Sequence, residues 1–145
     1  MSIPEKLETV IDSFKAAPKP LRLQLLLEYA NKVPPLPEHL EGQRDKMERV
    51  HECQTPFFLI TEYPSDDEVV FHFDAPPEAP TTRGFAGILS EGLSGSSPQA
   101  ILDTPTDFYA NMGLAEVISP LRLRGMSAII GRLKRQVKEH EDSKA

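Results

Sequence analysis

Fourteen prolines are spread through the 145 residues, about twice the usual ~5% share. Proline lacks a backbone N–H and has a fixed φ, so it is tolerated at the first turn of a helix, in turns and at sheet edges. The chain is therefore cut into short elements whose ends the prolines mark. Ser2 to Glu5 reads as a capping box with Pro4 at the first helical position. Ile3, Leu7, Val10, Ile11 and Phe14 then recur at helical spacing, which predicts an amphipathic helix ending before Pro18. Pro20 opens a second helix, in which Leu21, Leu25 and Tyr29 together with Leu23, Leu26, Leu27 and Ala30 leave almost no polar face. That pattern predicts a central helix.

Val33 to Gly42 carries Pro34, Pro35 and Pro37, cannot continue a helix, and is predicted to be an extended surface crossing of the kind that often bears function. Thr55 to Tyr63 and Glu68 to Phe73 read as strands, with Pro64-Ser65-Asp66-Asp67 as the turn of an antiparallel hairpin. Lys46 to His51 is a candidate third strand. From Thr81 the helical period returns through Phe85, Ile88, Leu89 and Leu93, followed by a loop from Gly92 to Ser97. Ser97-Pro98 and Thr104-Pro105 each pair a cap with a first-turn proline, and Gly113 can end the second of these short helices. Met126, Ile129, Ile130, Leu133 and Val137 build a long final helix, with a polar tail from Glu139 to Ala145 that is expected to fray. The order of elements predicts a single α+β domain over residues 1–145: two helices, a small antiparallel sheet of about three strands, then several helices ending in a long one.

Charge and composition narrow the functional classes. The net charge is −6 and the pI about 5.2, with no basic tract of the kind that binds nucleic acid or an anionic membrane. No apolar run approaches the ~20 residues of a membrane span, and Met1 to Val10 carries Glu5, Lys6 and Glu8 where a signal peptide is apolar. One cysteine cannot form an internal disulfide. A cytoplasmic protein in a reducing compartment is expected. Gly84, Gly87, Gly92 and Gly95 lack the spacing and the lysine of a phosphate loop.

Cys53 lies between a charged stretch and an aromatic strand, where the chain turns from surface to core and a thiol can be reached. Reactivity requires a thiolate, which nearby cations favour and anions oppose. His51 would help and Glu52 would hinder. The residues alone leave several readings open: a reactive thiol, a small buried hydrophobe, a cysteine-dependent hydrolase pairing Cys53 with His51, or an interaction module binding through the acidic run from Glu62 to Glu78. Residues two apart on an extended strand point the same way, but no third group orients such a pair. A structural zinc site wants four ligands, and beyond Cys53 and His51 only His39, His72 and His140 remain, so no metal is expected. The basic stretch from Val117 to Lys138 is mostly a solvated helix face. Arg122 and Arg124, placed before the long helix between Pro120 and Gly125, are the cations that can be aimed at a carboxylate.

The string Val50-His51-Glu52-Cys53-Gln54-Thr55-Pro56-Phe57-Phe58-Leu59 resembles the cysteine loop of the SufE family. Tyr29 to Pro37, Arg83-Gly84, and the closing segment from Met112-Gly113-Leu114 to Ser119-Pro120-Leu121-Arg122-Leu123-Arg124-Gly125-Met126 resemble further family segments in the same order. The resemblance spans nearly the whole chain. It implies a cytoplasmic bacterial sulfur carrier of iron-sulfur cluster assembly. Such a carrier accepts persulfide sulfur from a SufS-type cysteine desulfurase, stimulates that enzyme, and passes the sulfur to a SufBCD-type scaffold. It would bind no cofactor, the pyridoxal phosphate belonging to the desulfurase, and would not turn over alone. Cys53 would carry the persulfide, with Arg122, His51 and Glu78 in supporting roles. Glu52, Thr55 and Phe57 or Phe58 stand where the family usually has Gly, Ser and Trp. Glu52 adds an anion beside the thiol, and His51 or Arg122 is expected to offset it.

Overall fold

The computed structural model describes residues 3–144. Ser2, and with it the proposed capping box, lies outside them. Helix α1 spans Glu5–Ala16 and buries Leu7, Val10, Ile11 and Phe14. Pro4 is the residue before the helix rather than its first, with φ −54° and ψ 143°. Helix α2 spans Lys19–Ala30. It is followed by the proline-rich crossing and two short 3-10 turns at Glu38–Leu40 and Arg44–Lys46.

Strands β1 (Glu48–Arg49), β2 (Phe58–Ser65) and β3 (Glu68–Asp74) form an antiparallel sheet in that order. The third strand is thus shorter than the span from Lys46 to His51 expected, because the chain leaves the ladder after Arg49 pairs with Phe58. The hairpin is present, but Pro64 belongs to β2. Between Glu62 and Ser65 the register slips by one residue, a bulge that tolerates the missing N–H. Val69, Phe71 and Phe73 alternate into the core.

Helix α3 spans Pro80–Gly92 and lies along α2. Their close approach depends on two glycines. A Cβ on Gly84 would sit 2.7 Å from the Leu26 carbonyl oxygen, and one on Gly87 would overlap the Tyr29 carbonyl. Arg83 fastens the same corner, its guanidinium donating to Ala75 O at 2.7 Å and Ala30 O at 3.4 Å. Helix α2 is not the central element its composition predicts. It buries Leu26, Tyr29 and Ala30 against α3 and leaves Leu21, Leu23 and Leu27 exposed.

Helix α4 (Pro98–Asp103) starts as expected, Ser97 Oγ accepting from the Ala100 N–H at 3.2 Å. Thr104-Pro105 does not open an α-helix: Thr104 closes α4, its hydroxyl donating back to Ala100 O, and 3-10 turns follow at Phe108–Met112 and Leu114–Glu116. Gly113 separates them with φ +71°, a conformation open to glycine. Helix α5 runs from Pro120 to Ser143, capped by Ser119, and buries Met126, Ile129, Ile130, Leu133 and Val137. Arg122 and Arg124 therefore lie inside its first turns, not before it. The tail expected to fray from Glu139 is helical to Ser143, since Tyr63 of β2 stacks on His140 with ring centroids 3.4 Å apart. Two N-terminal helices, a three-stranded antiparallel sheet and a run of helices ending in a long one make the α+β architecture read from the sequence.

Candidate functional site

The residues between β1 and β2 form a hairpin loop. Val50 and Phe57, both fully buried, close its base through a Val50 N–H to Phe57 O bond of 2.9 Å. Inside it the chain turns sharply, the Cys53 N–H donating to Val50 O at 3.2 Å. The turn sends neighbouring side chains in opposite directions. His51 and Glu52 face solvent, whereas Cys53 points inward and is only 7% exposed.

Cys53 opens onto a cavity of about 370 Å³. Its walls come from three helices as well as the loop: Leu23 and Leu27 of α2, the segment from Glu78 to Thr82 entering α3, and Leu121, Arg122 and Gly125 of α5. The α5 residues share a face because positions 122, 125, 129 and 132 follow the helical repeat. Gly125 makes the seat for the sulfur: a Cβ there would lie 3.3 Å from Cys53 Sγ, tight enough that any larger side chain would displace the thiol. Leu23, Leu27 and Leu121 are among the large apolar side chains left exposed, at 40%, 37% and 44%. Together these three leucines give the cavity an apolar rim.

Burial pushes the Cys53 thiol up from 9.0 to about 11, the Glu52 carboxylate adds to the rise, and the Arg132 guanidinium opposes it. The thiol is thus protonated at neutral pH while it sits in the cavity. Arg132 is also the cation that offsets Glu52. Its Nη2 donates to Glu52 Oε1 at 2.8 Å, while Nη1 donates to Glu48 Oε2 at 2.7 Å and to Arg49 O at 3.3 Å. A hydrogen bond from its own backbone N–H, and then Arg132, hold the Glu52 carboxyl below the ordinary range. Burial raises Glu48, but hydrogen bonds from Gln136, Arg135 and Arg132 outweigh it and keep that carboxyl low.

The chain as a whole is similar to known proteins. Residues 8–137 match the family model SufE, described as an Fe-S metabolism associated domain. The chain belongs to the SufE family. It is 49% identical over 138 residues to an uncharacterized SufE-like protein of Mycobacterium tuberculosis, covering 95% of both chains. The solution structure of a hypothetical protein from Thermus thermophilus superposes with a TM-score of 0.83 at 49% identity, over 95% of this chain and 97% of that one. A more distant relative, 26% identical over 132 residues, is the cysteine desulfuration protein SufE of Plasmodium vivax; 89% of this chain matches 51% of that protein. Membership of the SufE family places the protein in iron-sulfur metabolism.

Within this SufE-family fold, Cys53, Arg122 and Glu78 line one cavity. His51 does not join them. It lies exposed on the other side of the turn, because the loop is not the extended strand that would have aligned it with Cys53. The direct ion pair with Glu52 comes from Arg132, with His51 adding a smaller attraction through space and Arg122 none. Reading α5 as a mostly solvated basic face hid Arg132, although its place ten residues after Arg122 on the same helix face was a usable signal. Gly125 was likewise visible as a letter of the closing segment but not as the seat of the sulfur. Within the acidic run, Glu62 binds His39 and His72 at 2.7 and 2.9 Å, and Asp74 binds Arg44 at 2.7 Å. Among the described residues, no group of three or more His, Cys, Asp and Glu side chains is arranged to hold a metal ion. Also among them, no helix is long and apolar enough to cross a membrane.

Proposed function

We propose that this protein is a sulfur carrier that takes persulfide sulfur from a SufS-type cysteine desulfurase, stimulates that enzyme by removing its product, and hands the sulfur to a SufBCD-type scaffold in the bacterial cytoplasm. The observation that carries this reading is the placement of Cys53 in a small hairpin loop, beside a cavity ringed by exposed Leu23, Leu27 and Leu121. Transfer needs an accessible thiolate and a docking surface, not an acid-base constellation. In the exchange, Cys53 sulfur attacks the terminal sulfur of the donor persulfide and a new S–S bond forms. The donor S–S bond breaks, and the desulfurase cysteine leaves as a thiolate, which the Cys53 proton can neutralise. No net oxidation occurs, so the carrier needs no cofactor of its own, and pyridoxal phosphate stays with the desulfurase.

The raised thiol pKa has a functional sense here. Protonated in its cavity, Cys53 is protected from adventitious electrophiles, and it gains thiolate character on leaving the apolar wall. Arg122 supplies a cation for the persulfide anion, and Glu78 lines the same cavity. His51 is exposed on the loop and does not line this cavity. Incubation with a cysteine desulfurase and cysteine, followed by intact mass spectrometry, is expected to show a one-sulfur adduct that reducing agent removes. The adduct should be lost in Cys53→Ser. An adduct that persists in that variant, or none on the native chain while the desulfurase turns over, overturns the proposal.

A further inference from the structure

The contacts of Arg132 are unequal in what they join. Nη1 is fixed to the sheet, through Glu48 and the Arg49 carbonyl. Glu48 is itself gripped by Arg135 and by Gln136 Nε2 at 2.9 Å, so three side chains from successive turns of α5 converge on β1. Nη2 reaches across to Glu52, the residue before Cys53 and a member of the loop over residues 51–56. The guanidinium fork is rigid and can hold both carboxylates at once, so one side is an anchor and the other a movable end.

We infer that Arg132 is a positioning residue, and that its ion pair with Glu52 is the latch that keeps the Cys53 loop closed over the cavity. When the pair parts, Arg132 stays on Glu48 while residues 51–56 swing out from the base closed by Val50 and Phe57, carrying Cys53 into solvent. The latch is also salt-sensitive, because the Glu52 and Arg132 side chains are 43% and 24% exposed. This inference rests on reading Cys53 as the group that must leave its cavity, but its test uses no desulfurase, so it can fail while the persulfide transfer stands.

The test is hydrogen exchange and iodoacetamide labelling of the native chain, Glu52→Gln and Arg132→Gln. Loss of the latch is expected to speed exchange of the Cys53 amide, which Val50 O protects, by about two- to fivefold, the range of partly exposed ion pairs. The amides of β3 should not change. Alkylation should accelerate in both variants, but because loss of the Glu52 anion also lowers the thiol pKa while loss of Arg132 raises it, the deciding rate is that of Arg132→Gln, and Arg132→Lys should restore part of the native rate. A purely electrostatic role predicts the opposite sign for Arg132→Gln, which would slow alkylation by removing a cation from the thiolate and shift the inflection of the pH profile. Unchanged Cys53 amide exchange in Glu52→Gln overturns the latch even if Arg132→Gln disturbs β1, because Glu52 is an exposed loop residue whose replacement leaves the fold intact.

Discussion

Unfolding the chain should make its thiol far more reactive, and the structure sets the size of the effect. The cavity raises Cys53 from 9.0 to about 11. At about pH 7.5 the thiolate fraction then falls from roughly 3% to roughly 0.03%, about a hundredfold. A more basic thiolate is a better nucleophile, and a Brønsted slope of about 0.4–0.5 returns roughly six- to tenfold of that loss. Folded protein should therefore react with iodoacetamide at least about tenfold more slowly than the same chain in concentrated urea. With 7% of the residue exposed, restricted access can only widen the gap. The pH profile gives a second reading. The folded rate should keep climbing about tenfold per pH unit beyond about pH 9, where the unfolded chain levels off. The assay is iodoacetamide labelling at a series of pH values, quenched and read by intact mass. A folded-to-unfolded rate ratio near one, or a folded profile that levels off near the unfolded one, would refute the claim that burial keeps this thiol protonated.

Enlarging the seat residue should expel the sulfur: Gly125→Val places methyl groups beyond a Cβ already 3.3 Å from Cys53 Sγ, so labelling should accelerate several-fold with helicity unchanged by circular dichroism; slower labelling would mean that the thiol has no outward path. Gly87→Ala drives a methyl into the Tyr29 backbone and should destabilise by about 3 kcal/mol or more, at the upper end of overpacking costs, measured by urea denaturation; a loss below about 1 kcal/mol would show that α2 and α3 separate freely. Because Glu48 is depressed below its ordinary 4.5 in the folded state, its contribution is present above that value and lost as pH falls through the folded one. The Tm difference between the native chain and Glu48→Gln should thus be largest near neutrality and narrow below about pH 4, and a difference constant from neutral to acid pH would contradict this linkage.

Element boundaries were legible where proline and side-chain chemistry act locally. Pro20 and Pro98 fall in the first turn of a helix as read, whereas the same role of Pro80 and Pro120 was passed over, and the alternation of Val69, Phe71 and Phe73 marked the inner face of β3. Readings that relied on composition without a partner were less successful. A run of leucines with Tyr29 and Ala30 made α2 look central, yet α3 covers only one side of it. Thr104-Pro105 has the letters of an N-cap, but the chain is already finishing α4 there. Lys46 to His51 could pair along its length only if the chain stayed extended, and it turns at Val50 to seat Cys53.

By itself, the order of residues determined the α+β succession of elements, the family, and Cys53 as the one thiol. It determined the succession because caps, proline geometry and hydrophobic period act over a few neighbouring residues, whereas the family was carried by the segments that resemble it. The tertiary structure decided that the thiol faces inward, that Leu23, Leu27 and Leu121 surround its cavity, and that Arg132 makes the ion pair with Glu52. That pairing joins residues 80 positions apart. Such a contact depends on how α5 is laid against β1, and no local pattern in either segment specifies it.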